Sequence, residues 1–287
     1  MTEISLLVQG LLDGSLYALI SVGLTLVYGL LRILHVAHAG FFTLGGYLCV
    51  VVTNATGSFP LAILVAIVAS GLLGMVIYRL VYHPILRHPP FVALIASIGL
   101  FIAMEESFRI IFGEQGVAYI APPLQITLQM GELFLPISKI IAFVAATTLI
   151  GGLGLLAAKT RTGIAWRATV TEPEMASSFG INIINVRYLN FFIGSALAAV
   201  AGIIFSLTTN LVEPTSGDVW SYKALAIIVL GGLGSMKGTL IASFALGIIE
   251  AYCTTNIIGQ IMNRDAIAFA FLIVVLMIRP QGLFTKR

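Results

Sequence analysis

Apolar runs long enough to cross a bilayer, or nearly so, recur along the whole chain, and polar residues are gathered into the connections between them. About 20 consecutive apolar residues suffice to span the hydrocarbon core as a helix. The runs are Leu6–Leu31, Ala39–Val52, Leu61–Val81, Val92–Phe112, Ile137–Ala158, Tyr188–Asn210, Ala224–Gly234, Thr239–Thr255 and Ala266–Ile278. They predict an all-α integral membrane protein: a multi-span helical bundle of about eight to ten segments, forming a single transmembrane domain over residues 1–287. The second and seventh runs are short and rich in glycine, so either reads as a broken or re-entrant element. Composition agrees, with 59% hydrophobic and only 9% charged residues, where a soluble domain is about a quarter charged. A net charge of +3 is too small to point to nucleic acid. Cys49 and Cys253 sit in apolar runs and read as small buried hydrophobes, without disulfide or metal spacing. The first run is too long for a signal-peptide core and has no Lys or Arg before it, so it is expected to be a retained segment.

The basic residues select an orientation. Arg79 and Arg87 share one connection, Lys159, Arg161, Arg167 and Arg187 another, and Arg279, Lys286 and Arg287 lie at the C-terminus. With alternating crossings these clusters fall on one side, with Arg32 and Lys237, while the Glu114–Pro136 connection, free of Lys and Arg, falls on the other. That pattern predicts an outside N-terminus and a cytoplasmic C-terminus.

One long polar segment, Lys159–Val186, reads as folded. Thr171 is placed to cap a helix, Pro173 suits its first turn, and Glu174 completes a capping box. Val170 and Met175 are spaced for a hydrophobic staple, and Gly180 is a left-handed stop. The expected helix, Glu172–Phe179, has about two turns and needs external support to persist. Met175 and Phe179, four apart, give it an apolar stripe. The alternative is an interfacial anchor, with Trp166 and the arginines at headgroup level.

Two glycine-interrupted pieces correspond weakly between the halves, His35–Gly46 and Leu230–Gly238. Paired interruptions mark transport pathways in transporters built from repeats; glycines also let helices pack closely, and for Leu230–Gly238 packing or helix breaking is the preferred reading. His35, His38, Gly45, Gly46, Gly232, Gly234 and Ser235 are accordingly the candidate pathway residues. His35 and His38 can share a helical face, lack a nearby carboxylate or thiolate to complete a metal site, and suit interhelical hydrogen bonding. Asp13 lies within the first run, either as a functional carboxylate or at the outer interface. Glu105, Glu106 and Arg109 are spaced for ion pairing along a helix. Glu250 is a further intramembrane acid, with no partner evident in the sequence.

Enzymatic chemistry has little to work with: HExxH, GxSxG and CxxC are absent. Gly231–Gly238 superficially resembles a phosphate loop, but Met236 stands where glycine is needed and Gly238 where Ser or Thr would hold magnesium. No cofactor is expected in this chain, and any ATP hydrolysis that drives it must belong to another polypeptide.

Four blocks carry a family resemblance. Val22-Gly23-Leu24-Thr25-Leu26-Val27-Tyr28-Gly29 leads into Ala37-His38 and Leu44-Gly45-Gly46-Tyr47. The polar segment supplies Arg161-Thr162-Gly163, Arg167-Ala168, Glu174, Ala176 and Gly180-Ile181. Gly231-Gly232-Leu233-Gly234-Ser235 with Gly238, and Arg279-Pro280-Gln281-Gly282-Leu283-Phe284, complete the set. In order and spacing these blocks resemble the permease subunits of bacterial ABC importers for branched-chain amino acids, and specifically the smaller permease of the pair. The resemblance implies a type II-like permease with discontinuous helices in the inner membrane. Its implied partners are a second permease, two cytoplasmic ATPase subunits holding ATP and magnesium, and an extracytoplasmic substrate-binding protein. It also implies that residues 159–186 form a cytoplasmic coupling loop, with Arg161, Gly163, Arg167, Thr171, Glu174, Met175, Ala176, Phe179 and Gly180 as candidate ATPase-coupling residues. His35-Val36-Ala37-His38-Ala39 departs from the family's usual Asn-Phe-Ala-His-Gly, which leaves the substrate open among branched-chain amino acids, urea, short amides and aromatic or other carboxylic acids. Two other classes compete: an ion-coupled transporter or channel acting alone, and a membrane enzyme, for which no catalytic constellation is found.

Overall fold

Hydrocarbon offers no partners to backbone N–H and C=O groups, so apolar runs of this length must satisfy them internally as helices. The computed structural model, which describes residues 3–130, 133–255, 263–279 and 282–283, is built that way. Its helices are α1 (Glu3–Leu31), α2 (His38–Thr56), α3 (Phe59–Ile77), α4 (His83–Ile85), α5 (Pro90–Phe112), α6 (Ile137–Lys159), α7 (Arg161–Thr171), α8 (Pro173–Ser178), α9 (Ile183–Thr209), α10 (Ser216–Gly231), α11 (Met236–Thr255) and α12 (Arg264–Ile278), with a π-helical turn at Tyr78–Tyr82. Short strands β1 (Val117–Ala118), β2 (Thr127–Met130), β3 (Leu133–Pro136) and β4 (Leu211–Val212) pair antiparallel as β1–β4 and β2–β3. Among the described residues, seven helices are long and apolar enough to cross a membrane, and α10 and α12 are shorter. Every apolar run thus has its helix. The seventh is displaced: α10 starts upstream at Ser216 and stops at Gly231, leaving Gly232–Gly234 in a turn.

α1 is the central helix, packed against α11, α9, α6 and α10. Small residues let it approach α11 closely, since a Cβ on Gly247 would lie 2.4 Å from the Gly10 carbonyl oxygen. Farther along the same contact Thr25 and Thr239 join hydroxyls at 2.8 Å. α5 and α6 are peripheral and leave Phe91, Ile95, Ile102, Val144 and Leu155 exposed, a surface suited to acyl chains. Arg109 on α5 bonds both Glu105 (3.0 Å) and Glu106, the expected pairing along one helix face.

The long helices alternate in direction, which gives the bundle two distinct ends. At one end α1 starts, α2 and α5 finish, and α6 starts. There α9 and α11 finish and α12 starts, and both strand pairs cover it. The opposite end carries α7 and α8, between the last turn of α6 and the first of α9. There Arg79 donates to the Tyr188 hydroxyl (3.2 Å), and Leu283 N–H reaches the Leu230 carbonyl (2.8 Å).

The second run is a full-length helix of 19 residues, yet it begins inside the bundle. After α1 ends, residues 32–37 fold back, so that a Cβ on Gly23 would meet the His38 ring at 2.9 Å. Gly23 precedes the end of α1 by eight residues, so α2 starts about 12 Å within the bundle. α10 starts beside it: a Cβ on Gly217 would meet Thr43 Oγ1 at 2.6 Å. Cys49 is fully buried and receives a hydrogen bond from the Tyr119 hydroxyl (3.4 Å), whereas Cys253, expected to be buried, is partly exposed.

Candidate functional site

At the α7–α8 end, Thr160 begins α7 by accepting a hydrogen bond from Gly163 N–H (3.0 Å). Gly163 is required at this corner, because a Cβ there would lie 2.3 Å from the Leu156 carbonyl oxygen. Arg167 donates back to the Ala157 carbonyl, bracing α7 against the end of α6, while Arg161 is exposed in the first turn. Trp166 packs inward against the cluster that includes Leu26 and Leu153.

The capping box expected at Thr171 does not form. Thr171 is the last residue of α7 and donates its hydroxyl to the Arg167 carbonyl (3.0 Å). Glu172 occupies the N-cap of α8 without a side-chain bond, and Glu174 is exposed. The helix initiated at Thr160 ends on Thr171 and so takes the motif's threonine as its own last residue. The stop at Gly180 does form: its φ is +83°, Ile181 N–H reaches the Ala176 carbonyl (3.1 Å), and Gly180 N–H reaches the Ser177 carbonyl (2.9 Å). Ala176 is buried against the body of the protein, whereas Met175 is 61% and Phe179 81% exposed. α8 is therefore a short, firmly terminated helix that turns one small residue inward and two large apolar ones outward.

The candidate pathway residues separate into three groups. His35 and His38 are buried and link elements: His35 Nδ1 bonds the Tyr82 hydroxyl of the π-helical turn (2.6 Å), and His38 Nε2 bonds the Ile20 carbonyl of α1 (3.1 Å). A carbonyl only accepts, so His38 carries its proton on Nε2. Gly45 fills the α2–α9 contact, where Ala199 leaves no room for a Cβ, and at Gly46 a Cβ would be a tight fit against Gly202 of α9 and Val212 of β4. Gly232 and Gly234, at φ +97° and +81°, shape the α10–α11 turn, and Ser235 caps α11 by accepting from Gly238 N–H (3.1 Å). Gly282 docks on that turn, which brings two distant blocks of the sequence together. Pro280, Gln281, Phe284, Lys286 and Arg287 lie outside the described residues.

None of those residues lines a charged cavity that sits toward the opposite end from α8. It has a volume of about 280 Å³ and is walled by α1, α6, α9, α10 and the first turn of α12. Lys223 of α10 is its organising group. Its ammonium lies 3.0 Å from Glu250 Oε1, 3.0 Å from Asp265 Oδ1 and 3.0 Å from the Tyr17 hydroxyl. Tyr17 in turn donates to Glu250 Oε2 at 2.5 Å. Glu250 is fully buried and Lys223 nearly so, while Asp265 remains 40% exposed. On the same wall Asp13 pairs with Lys139 at 2.9 Å. Asp13 and Glu250 were legible as intramembrane acids, but their lysine partners were missed. Lys223 directly precedes the seventh apolar run, where a lone lysine is itself a signal of a functional site.

A family model described as the permease component of branched-chain amino acid transport systems matches residues 6–276. The chain is 31% identical to the high-affinity branched-chain amino acid transport system permease protein BraD of Pseudomonas aeruginosa, over 98% of this chain and 95% of that protein. It is 31% identical to the LivH permease protein of the corresponding Escherichia coli system, over 97% and 94% of the two chains. Against the LivM permease protein of E. coli it is 25% identical over 93% of this chain but 67% of that longer protein. No solved structure matches. With seven helices among the described residues long and apolar enough to cross a membrane, the chain belongs to the branched-chain amino acid transport permease family.

Proposed function

We propose that this chain is the smaller permease of an ATP-driven importer that moves branched-chain amino acids into the cytoplasm, with α8 as its coupling helix. The observation that carries the reading is the outward pair Met175 and Phe179 on a helix anchored through Ala176 and closed at Gly180. Burying a large apolar side chain contributes about 1.5–3 kcal/mol, so an ATPase groove that covers both gains several kcal/mol. An amphipathic helix laid in a groove is a common recognition mode. The basic residues Arg79, Arg87, Lys159, Arg161, Arg167 and Arg187 support a cytoplasmic position for this end, and therefore an outside N-terminus in a bacterial inner membrane. The partners are a second, LivM-like permease, two ATPase subunits holding ATP and magnesium, and an external binding protein.

The test uses the complete transporter in proteoliposomes. Met175→Ala with Phe179→Ala is expected to lower ATP-driven leucine uptake about tenfold or more and to weaken ATPase co-purification, with unchanged membrane insertion. Full uptake by that variant would remove α8 as the coupling element. Gradient-driven uptake by this chain alone, without ATPase subunits, would replace the importer reading with an ion-coupled transporter.

A further inference from the structure

The cavity around Lys223 has no role in the coupling account, yet it holds charged groups of both signs inside a lipid-facing protein. Ion pairs removed from water contribute little net stability, and ionisable groups at membrane depth commonly mark a substrate route. We propose that this cavity is the site where the permease receives a free α-amino acid as its zwitterion. In that site Lys223 takes the carboxylate, Asp265 takes the ammonium, and the side chain lies against the apolar wall. The proposal rests on the importer reading.

Four observations carry it. The cavity lies toward the strand-covered end, opposite α8, where a binding protein would deliver its cargo. Lys223 and Asp265 form one pair at 3.0 Å, and a zwitterion can enter it by exchange: the ligand's carboxylate replaces Asp265 on Lys223, and its ammonium replaces Lys223 on Asp265. Each charge keeps a partner throughout, so entry does not strand a buried ion. Asp265 suits the mobile role, being 40% exposed in the first turn of α12, while Lys223 stays fixed by Glu250 and Tyr17. The rest of the wall includes Leu16, Ala142, Ile204, Phe205 and Trp220, a surface for an aliphatic chain. The volume of about 280 Å³ is near the lower end of small-molecule sites, about 300 Å³. That size favours a single small amino acid over a peptide. Urea and simple amides bring no charges to exchange.

The site is tested by equilibrium binding of radiolabelled L-leucine to the complete transporter in nanodiscs without the binding protein. Competition by isocaproate, which lacks the ammonium, and isoamylamine, which lacks the carboxylate, is measured alongside. In the wild type each analogue should compete at least about tenfold more weakly than leucine, the loss of one charge-assisted contact. Asp265→Asn should weaken leucine binding by about the same factor and erase its preference over isocaproate, and Asp265→Glu should restore both. Wild-type leucine binding by Asp265→Asn, or an unchanged preference over isocaproate, would overturn the proposal. Asp265 is chosen because Lys223→Gln also breaks the buried pair with Glu250, which confuses a folding defect with a binding one. ATP-driven leucine uptake by the wild-type transporter is recorded separately. Uptake together with unaltered binding by Asp265→Asn removes this site alone, whereas absence of uptake removes the importer reading on which the site depends.

Discussion

Gly45 decides between two meanings of the glycine-rich second run, because packing and pathway roles predict opposite consequences for one methyl group. A Cβ placed there would lie 2.4 Å from Ala199 Cα and 2.5 Å from the Ala199 carbonyl oxygen. Ordinary contact needs about 1 Å more, so Gly45→Ala must push α2 away from α9 by roughly that distance. A radial gap of 0.5–1 Å forfeits about a quarter to a half of each dispersion contact it opens, and overpacking costs about 1–3 kcal/mol. Working against this is the intrinsic helix preference for Ala over Gly, about 1 kcal/mol. The net expectation is destabilisation of up to about 2 kcal/mol. Gly154→Ala on α6 is the control, since nothing stands within 4 Å of its Cβ, and it should stabilise by up to about 1 kcal/mol. Reversible unfolding in mixed detergent micelles, followed by tryptophan emission, measures the difference, with Trp166→Phe in both variants to isolate Trp220. Trp220 stacks on Phe42 of α2, with ring centroids 5.1 Å apart at 26°, and so reports the helix that must move. Ala199→Gly should fail to rescue Gly45→Ala, because the nearest obstacles are backbone atoms. Equal stabilities for the Gly45 and Gly154 variants would refute the packing argument.

Two further substitutions probe the polar contacts. Lys223→Met should destabilise by about 3–5 kcal/mol, because it removes one partner of a buried ion pair, while Lys223→Met with Glu250→Leu should recover most of that loss; the same unfolding assay reads both, and additive losses in the double variant would contradict the pairing. Tyr82→Phe removes the 2.6 Å bond to His35 and should cost about 1–3 kcal/mol, whereas Tyr222→Phe, on a side chain 57% exposed, should stay within about 0.5 kcal/mol of wild type.

The spans were readable because run length is a local property: α1, α5 and α6 follow from hydropathy alone, as does the alternation that brings the three basic clusters to one end. Local rules fail where two of them compete. Thr171 and Glu174 satisfy the capping-box pattern, yet the helix capped at Thr160 extends to Thr171, whose hydroxyl bonds back to the Arg167 carbonyl and is not free to cap α8. Gly180 forms the expected stop because, with no Cβ, it takes φ +83° without strain and lets the Ile181 N–H close the helix on the Ala176 carbonyl. The depth at which α2 begins was only half visible: the run looked short, but its start beside Gly23 depends on a fold-back that hydropathy does not encode. The charged cavity was the least visible. Tyr17 and Lys223 lie 206 positions apart, and Tyr17 and Glu250 lie 233 apart, so no spacing rule connects them.

The same geometry bears on how the two ends could communicate. α6 and α9 each run from one to the other: Lys139 and Ala142 of α6 and Ile204, Phe205 and Thr208 of α9 wall the cavity, while the far ends of both helices adjoin α7 and α8. α9 follows α8 after a short turn capped by Asn182 and, with 27 residues, extends about 40 Å. In hydrocarbon a helix keeps its backbone bonds or loses several kcal/mol per broken group, so a push on α8 would displace α9 as a rod. That rod is locked to α2 where Gly202 and Gly45 admit no Cβ, and α2 carries His38 against α1. An ATPase closing on Met175 and Phe179 would therefore shift α9 and α2 together past α10, whose Lys223 is held to α1, α11 and α12 by Tyr17, Glu250 and Asp265. The wall of the cavity would divide along that line, so the site would change shape without any side-chain relay through the bilayer.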